Sequence, residues 1–126
     1  METKEILIIE DDGATADFMR VMLEKDGWTV RHVADGKAAR AAIGTGAMPW
    51  LITLDLGLPD TTGVDLMVDI KGTPGWQRVP IVVVTATPKD ESVNWAIKKG
   101  AREYLVKPFK PEELQAAVKR LARKPN

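Results

Sequence analysis

Short apolar segments alternate along this chain with longer segments in which apolar residues recur at helical spacing. The short segments are rich in β-branched residues and bounded by turn residues, which predicts strands. They cover residues 6–9, 28–33, 51–54, 81–84 and 104–106. Three of them are almost continuously apolar, as buried parallel strands are. The segment 28–33 instead carries Arg31 and His32, which suits an edge strand with a solvated histidine.

The longer segments predict five helices, each with one apolar stripe that packs on the sheet. Glycines follow several stripes, and Pro111 stands at the start of the last helix, where its missing N–H costs nothing. The stripes are Met19, Met22 and Leu23; Ala38, Ala39, Ala42 and Ile43; Leu66, Met67 and Ile70; Val93, Ala96, Ile97 and Gly100; and Leu114, Ala117, Val118 and Leu121. Trp95 falls outside the fourth stripe, which predicts a surface position for it.

The order of elements is therefore a strand followed by a helix, five times over. Strands that alternate with helices pair in parallel through right-handed crossovers. The predicted fold is α/β, a doubly wound sheet of five parallel strands with helices on both faces. In such a sheet the functional site lies beyond the carboxyl ends of the strands.

Composition narrows the class of protein. The chain has 126 residues, which predicts one domain spanning 1–126. Its 18 basic and 18 acidic residues balance, so nothing in the net charge favours a nucleic acid or a membrane as partner. Cysteine is absent, which excludes disulfides and cysteine-bound zinc. Because no apolar stretch approaches a membrane span and the N-terminus lacks a signal-like core, we expect a cytoplasmic protein.

Polar residues end four of the five predicted strands. The first strand runs into Glu10 and Asp11, the third into Asp55, the fourth into Thr85 and the fifth into Lys107. A single strand-terminal aspartate is usually only a turn former or a helix cap. Because the carboxyl ends of parallel strands share one edge, all these side chains are expected to converge on one pocket.

These residue types predict a particular chemistry. Carboxylates without histidine or cysteine favour a hard, oxygen-preferring cation such as Mg²⁺. Such a cation would also cancel the mutual repulsion of Glu10, Asp11 and Asp55. A carboxylate can act as a nucleophile toward a phosphoryl group, and a lysine ammonium can stabilise the charge of the group in transfer. The pocket therefore suggests a phospho-aspartate site.

The chain resembles the receiver domains of response regulators, the phospho-accepting half of two-component signalling. The resemblance covers essentially the whole chain. It rests on the segments ILIIEDD, LITLDLGLPDTTGVDL, PIVVVTAT and GAREYLVKPF in that order, of which LDLGLPDTTG and YLVKPF are the most specific. The resemblance implies a flavodoxin-like (βα)5 fold with strand order 2-1-3-4-5.

Residue roles follow from the resemblance position by position. It implies that Asp55 accepts the phosphoryl group and that Lys107, before a cis proline bond, contacts that group. The resemblance further implies Mg²⁺ ligands in Glu10, Asp11, Asp55 and the carbonyl of Gly57, and switch residues in Thr85 and Tyr104. Glu10 stands where aspartate is commoner.

The resemblance also implies partners. A sensor histidine kinase or a phosphotransfer protein would supply the phosphoryl group, and uptake and hydrolysis would be self-catalysed rather than enzymatic turnover of a separate substrate. A downstream protein would bind the face made by the fourth helix, fifth strand and fifth helix, near Tyr104 and Trp95. The alternative is that Trp95 simply lies over the stems of Lys98 or Lys99 and covers the helix.

Two other functions fit parts of the sequence. One is a pseudo-receiver, with this fold but without phosphorylation; such a protein usually lacks one of the acids, the hydroxyl or the lysine, all of which occur here. The other is a phosphatase of the haloacid-dehalogenase type, because EDDGA is close to the D-x-D-G-T motif of that family. Glu10 would then replace the nucleophile and Ala14 the threonine, and the chain lacks room for a cap domain.

Overall fold

A computed structural model describes residues 4–45, 47–86 and 91–122 of the chain. Five parallel strands form one sheet in the order β2-β1-β3-β4-β5, with a helix after each strand. The elements are β1 Glu5–Ile9, α1 Gly13–Lys25, β2 Thr29–Val33, α2 Gly36–Thr45, β3 Leu51–Asp55, α3 Gly63–Lys71, β4 Ile81–Thr85, α4 Glu91–Lys98, β5 Glu103–Val106 and α5 Pro111–Leu121. A single 3₁₀ turn, Trp76–Arg78, precedes β4. The predicted fold class and strand order are confirmed, and each strand begins and ends within one residue of its prediction.

The sheet separates two apolar layers, because successive side chains of a strand point to opposite faces. Leu7 and Ile9 of β1 face α2, α3 and α4, whereas Ile6 and Ile8 face α1 and α5. The central strands β1, β3 and β4 are buried along nearly their whole length. β2 is only partly covered, as expected of an edge strand.

One predicted helix stripe is partly wrong. In α4, Val93 and Ala96 are buried, but Ile97 is 42% exposed. Gly100 lies beyond the end of the helix, exposed and with φ of +117°, in a turn that closes on the carbonyl of Ile97. Because α4 packs mainly against β4 and α3, it buries a narrow stripe, and Ile97 stands 100° around the helix from Ala96.

The central position of β1 and β3 determines where polar ends can meet. The two strands are neighbours with Ile9 opposite Leu54, so the residues that follow them leave the sheet side by side. β4 continues the same edge, with Val84 opposite Asp55.

None of the helices in the described part of the chain has the length and apolar character needed to cross a membrane.

Candidate functional site

Three carboxylates gather at the carboxyl ends of β1 and β3. Glu10, Asp11 and Asp55 each offer one oxygen, and these oxygens all lie within 4.8 Å of one another. Glu10 and Asp55 are buried and Asp11 is exposed. The Glu10 N–H still donates to the carbonyl of Val33 on β2, at 3.1 Å, so Glu10 continues the path of the sheet. The predicted convergence of these three acids is therefore observed.

Lys107 brings a positive charge to the cluster from the end of β5. Its Nζ lies 2.9 Å from both carboxylate oxygens of Glu10 and 3.4 Å from Oδ2 of Asp55. Its backbone N–H donates to the carbonyl of Thr85 at 2.7 Å, which ties the β5 end to β4. The Lys107–Pro108 bond is cis, as the resemblance implies. The Lys107 ammonium thus lies closer to Glu10 than to Asp55.

Backbone contacts hold Glu10 and Asp55 in place. Oε2 of Glu10 accepts from the N–H of Asp12 at 3.2 Å, and buried Oε1 is paired with the Lys107 ammonium at 2.9 Å. The carbonyl of Glu10 accepts from Nε2 of His32 at 2.7 Å. Oδ1 of Asp55 accepts from the N–H of Gly57 at 2.9 Å, which aims the other oxygen toward Lys107. His32 is therefore half-buried and bonded to the site, where the sequence predicted a solvated residue.

The crowding of the acids changes their ionisation. Burial raises the pKa of Glu10 from its ordinary value of 4.5 to about 7, assisted by Asp55 and opposed by the Lys107 ammonium. The neighbouring Asp55 carboxylate, followed by burial, raises the pKa of Asp11. Burial also pushes the pKa of Asp55 upward, but the Gly57 N–H and the groups around it outweigh burial and lower it. Without a divalent cation to balance the charge, the cluster therefore binds a proton more readily than isolated carboxylates do.

The donor set fits a small divalent cation. All three carboxylates supply only oxygen, which suits Mg²⁺ better than a softer metal. Burial and the neighbouring Asp55 raise the pKa of Glu10 although Lys107 Nζ lies 2.9 Å from its carboxylate, so this one ammonium does not fully compensate the negative charge of the cluster. Gly57, two residues after Asp55, lies exposed at the rim of the cluster. These observations agree with a Mg²⁺ site at Glu10, Asp11 and Asp55.

The two remaining predicted site residues lie in different surroundings. Thr85 ends β4 at the same edge of the sheet and is only 3% exposed. Tyr104 lies on the edge strand β5, opposite Val83, and is 48% exposed. The structure therefore brings Thr85 to the edge that carries the acids, while Tyr104 lies on the outer surface.

A cleft beside Lys107 was not predicted from the sequence. Its volume is about 460 Å³, and its lining residues are Ala14, Thr15, Phe18, Lys107, Pro108 and Phe109. The rings of Phe18 and Phe109 lie 5.9 Å apart, joining α1 to the segment after β5. An exposed phenylalanine on α1, one turn after Ala14, was the signal in the sequence that could have indicated this surface.

Comparison with known proteins identifies the family. The family model described as the response regulator receiver domain matches residues 6–119. This chain belongs to the response-regulator receiver family. Among curated relatives it is 34% identical over 116 residues to the DNA-binding response regulator MtrA of Mycobacterium tuberculosis, covering 92% of this chain and 49% of that protein. It is 37% identical over 114 residues to the KDP operon transcriptional regulatory protein KdpE of Escherichia coli, covering 90% and 49%. The receiver chain thus spans about half the length of the curated relatives it matches.

Solved receiver structures show the same fold. The receiver domain of sensor histidine kinase PA1611 from Pseudomonas aeruginosa, solved with magnesium coordinated in its active site cleft, matches with a TM-score of 0.88 and 30% identity. The match covers 98% of this chain and 100% of that one. A putative response regulator from Chloroflexus aurantiacus matches with a TM-score of 0.89 and 29% identity, over 98% and 100%.

The comparisons bear differently on the other expectations. They support the receiver family and give no support to a phosphatase of the haloacid-dehalogenase type or to a pseudo-receiver. The expected lack of a nucleic-acid partner has no support from full-length relatives, since MtrA is named as DNA-binding. For this chain that expectation stays a prediction.

The repulsion among the acids leads to a prediction for stability without metal. Asp11→Asn is expected to raise the melting temperature of the metal-free protein, because it removes one of three like charges. The rise should be a few degrees at most, since water screens the exposed Asp11. Thermal melting in excess chelator measures it, with Asp17→Asn, an exposed acid on α1, as the matched charge change. A melting temperature that falls in Asp11→Asn would contradict the clustered-acid description.

Proposed function

We propose that this receiver accepts a phosphoryl group on Asp55 with Mg²⁺, taking it from a sensor histidine kinase or a phosphotransfer protein. One observation carries the proposal: Glu10, Asp11, Asp55 and the Lys107 ammonium converge at a single edge of the sheet. The magnesium coordinated in the cleft of the similar PA1611 receiver supports the choice of cation. A cytoplasmic location belongs to the same proposal.

Each side chain has a distinct task in this reaction. An oxygen of Asp55 attacks phosphorus, the bond from phosphorus to the donor breaks, and the donor leaves with that bonding pair. Oδ1 of Asp55 is held by the Gly57 N–H, which leaves Oδ2, on the side of Lys107, as the nucleophile. Glu10, Asp11, Asp55 and the Gly57 carbonyl would hold Mg²⁺, which neutralises charge on the group in transfer. Water later attacks phosphorus, the bond from phosphorus to the Asp55 oxygen breaks, and inorganic phosphate leaves while the carboxylate is regenerated.

Lys107 and Thr85 respond to the negative charge of the phosphoryl group on Asp55. In the structure Lys107 is bound mainly by Glu10, and Glu10 and Asp55 together raise the pKa of Lys107 against the effect of burial. The amine therefore stays protonated and can move the short distance to a phosphoryl oxygen. Thr85, at the end of the neighbouring strand, would donate a hydrogen bond from its hydroxyl to another oxygen of the phosphoryl group. A phosphoryl group of about −1.5 to −2 charge supplies the driving force for both movements.

The test of this function uses the unmodified chain. Incubation with acetyl phosphate and Mg²⁺ is expected to add one phosphoryl mass, measured by intact mass spectrometry. The same incubation in excess chelator should add none, because the acids then repel the incoming group. A chain that gains no phosphoryl mass from acetyl phosphate or from a histidine kinase would overturn the proposal.

We further propose that output passes through the face formed by α4, β5 and α5. Exposed apolar side chains occur on two of these elements: Trp95 and Ile97 on α4, and Tyr104 and Val106 on β5. Trp95 is 52% exposed, and Nζ of Lys99 lies 5.2 Å from the centre of its ring. The lysine covers part of the indole, as the sequence suggested, but leaves half of it available to a partner.

Trp95 is expected to report phosphorylation. In protein labelled with 5-fluorotryptophan, the ¹⁹F resonance of Trp95 should shift when Mg²⁺ and beryllofluoride, a phosphoryl mimic, are added. Trp95→Phe assigns the resonance without disturbing buried Trp76, whose side chain packs in the core. The shift should vanish in Asp55→Asn and shrink in Tyr104→Ala, because Tyr104 links the site to this face. A Trp95 resonance that stays fixed while beryllofluoride binds would locate the output elsewhere.

A further inference from the structure

The loop between β3 and α3, residues 56–62, leaves the cation cluster at Gly57 and returns to the sheet at Gly63. Its two ends touch: the Gly63 N–H donates to the Leu56 carbonyl at 3.1 Å. A Cβ on Gly63 would lie 2.6 Å from Cα of Leu56, so only glycine permits this approach. Leu58, 8% exposed, packs into the core and anchors the first half of the loop.

Asp60 attaches the second half of the loop to the N-terminus of α2. Its Oδ1 accepts from the Gly36 N–H at 2.7 Å, and its Oδ2 accepts from the Lys37 N–H at 3.0 Å. The first N–H groups of a helix have no partner within the helix, so Asp60 caps α2 from a distant loop. These hydrogen bonds, with that of Gly36 the strongest cause, lower the pKa of Asp60 and keep it ionised.

Contacts of Gly36 and Arg40 with Thr61 hold the loop close to the backbone of α2. A Cβ on Gly36 would lie 2.3 Å from Cγ2 of Thr61, so the absence of a side chain lets the loop rest on the helix backbone. Arg40, on the next turn of α2, donates to Oγ1 of Thr61 at 3.1 Å and to Oδ2 of Asp69 on α3 at 2.7 Å. The loop is therefore held by the core at Leu58 and by α2 at Asp60 and Thr61.

We propose that Asp60 is a positioning residue for the cation site, because it fixes the loop that presents the Gly57 carbonyl. The inference rests on the proposed function, in which that carbonyl completes the Mg²⁺ site. Asp60 lies three residues beyond Gly57 and outside the acidic cluster. Between them, Leu58 is buried and Pro59 has a fixed φ, so few free rotations separate the two positions. Loss of the Asp60 contacts therefore changes where the Gly57 carbonyl lies.

The test compares Asp60→Ala with Asp35→Ala, which serves as a matched control. Asp35 caps the same end of α2, where its Oδ1 accepts from the Ala38 N–H at 2.7 Å, but this bond does not reach the loop. Both variants lose a carboxylate cap, so both should lower the melting temperature similarly. Mg²⁺ affinity is measured by NMR, from the amide shift of Gly57 during titration with Mg²⁺ alone.

Of the two alanine variants, only Asp60→Ala should clearly weaken Mg²⁺ binding. Asp60→Ala is expected to raise the Mg²⁺ Kd about tenfold, as for other residues that hold a metal ligand in place, and Asp35→Ala by less than about twofold. Asp60→Asn keeps one acceptor for the Gly36 N–H and should fall between them. Labelling of Asp60→Ala by acetyl phosphate should be slow at low Mg²⁺ and recover at saturating Mg²⁺, which a damaged fold would not allow.

Each other outcome is decisive. An unchanged Kd in Asp60→Ala, or an equal rise in both alanine variants, would overturn the positioning role while leaving the proposed function intact. If Asp60→Ala does not fold, Asp60→Asn replaces it: faster amide exchange at Lys37 with an unchanged Kd would refute the inference. A wild-type Gly57 amide that does not respond to Mg²⁺ would instead overturn the cation site, and the inference with it.

Discussion

Asp55→Asn is expected to abolish phosphoryl incorporation completely. The amide has no carboxylate oxygen to attack phosphorus, yet it keeps an acceptor for the Gly57 N–H and nearly the same volume. The fold and the remaining acids should therefore persist, and the loss should be chemical rather than structural. Intact mass spectrometry after incubation with acetyl phosphate and Mg²⁺ measures the effect, and circular dichroism checks the fold.

A matched carboxylate distinguishes the nucleophile from its neighbours. Asp11→Asn removes a cation ligand but keeps Asp55, so labelling should slow and still occur on Asp55, located by tandem mass spectrometry of the peptide. Asp17→Asn, outside the cluster on α1, should label as the wild type does. Full labelling of Asp55→Asn, or a phosphoryl group found on Asp11 in the wild type, would refute the assignment of Asp55.

The fold could be predicted from the sequence because its central strands are buried on both faces. β3 shows the reason: residues 51–54 are apolar but for one threonine, so both faces of the strand demand covering helices. The strand then continues to Asp55, which stays paired opposite Val84, a detail of register that periodicity does not contain. Ile97 was misplaced for a similar reason, since the width of a buried stripe depends on which elements a helix contacts.

The site could be predicted only as far as topology determines it. Parallel strands bring their carboxyl ends together, which placed Glu10, Asp11, Asp55 and Lys107 at one edge without any knowledge of their contacts. Which side chains pair with one another at this edge could not be predicted in the same way. The approach of Lys107 to Glu10 depends on rotamers and on the shape of the surrounding backbone, which the sequence does not specify.

Two contacts could not be inferred from the sequence because they join distant segments. His32 reaches the Glu10 carbonyl because β1 and β2 pair with Ile8 opposite His32, a register that was unknown beforehand. Asp60 reads as an ordinary turn residue in LDLGLPDTTG, and its role at the start of α2 becomes visible only when the two loops are adjacent. Both contacts hold backbone segments next to the site in place, and neither His32 nor Asp60 belongs to the acidic cluster itself.

The buried Glu10 leads to a second large effect, on the pH dependence of stability without metal. Its pKa is raised from 4.5 to about 7 in the folded chain, so between these pH values the folded state binds more protons than the unfolded state. A group of this kind stabilises the fold fully below its unfolded pKa, and that stability is lost as pH rises through the folded pKa. The raised pKa of Asp11 acts in the same direction.

The other charges of the cluster titrate outside this window. The pKa of Asp55 is lowered from 3.8, so its contribution is lost only as pH falls below that value. The pKa of Lys107 is raised from 10.5, so its contribution is lost only at more alkaline pH. Of the cluster's shifted groups, Glu10 therefore contributes most to the slope between pH 4.5 and 7, and the raised pKa of Asp11 has the same sign.

In excess chelator, the free energy of unfolding should fall by up to about 3 kcal/mol between pH 4.5 and 7, because folding raises the pKa of Glu10 from 4.5 to about 7. Urea denaturation at a series of pH values measures it. Glu10→Gln, a neutral residue of similar shape, should remove most of the slope and be more stable than the wild type at pH 7. Saturating Mg²⁺ should reverse the wild-type slope, because the cation binds only the deprotonated acids. Parallel pH profiles for wild type and Glu10→Gln would show that the Glu10 carboxyl bears no unbalanced charge.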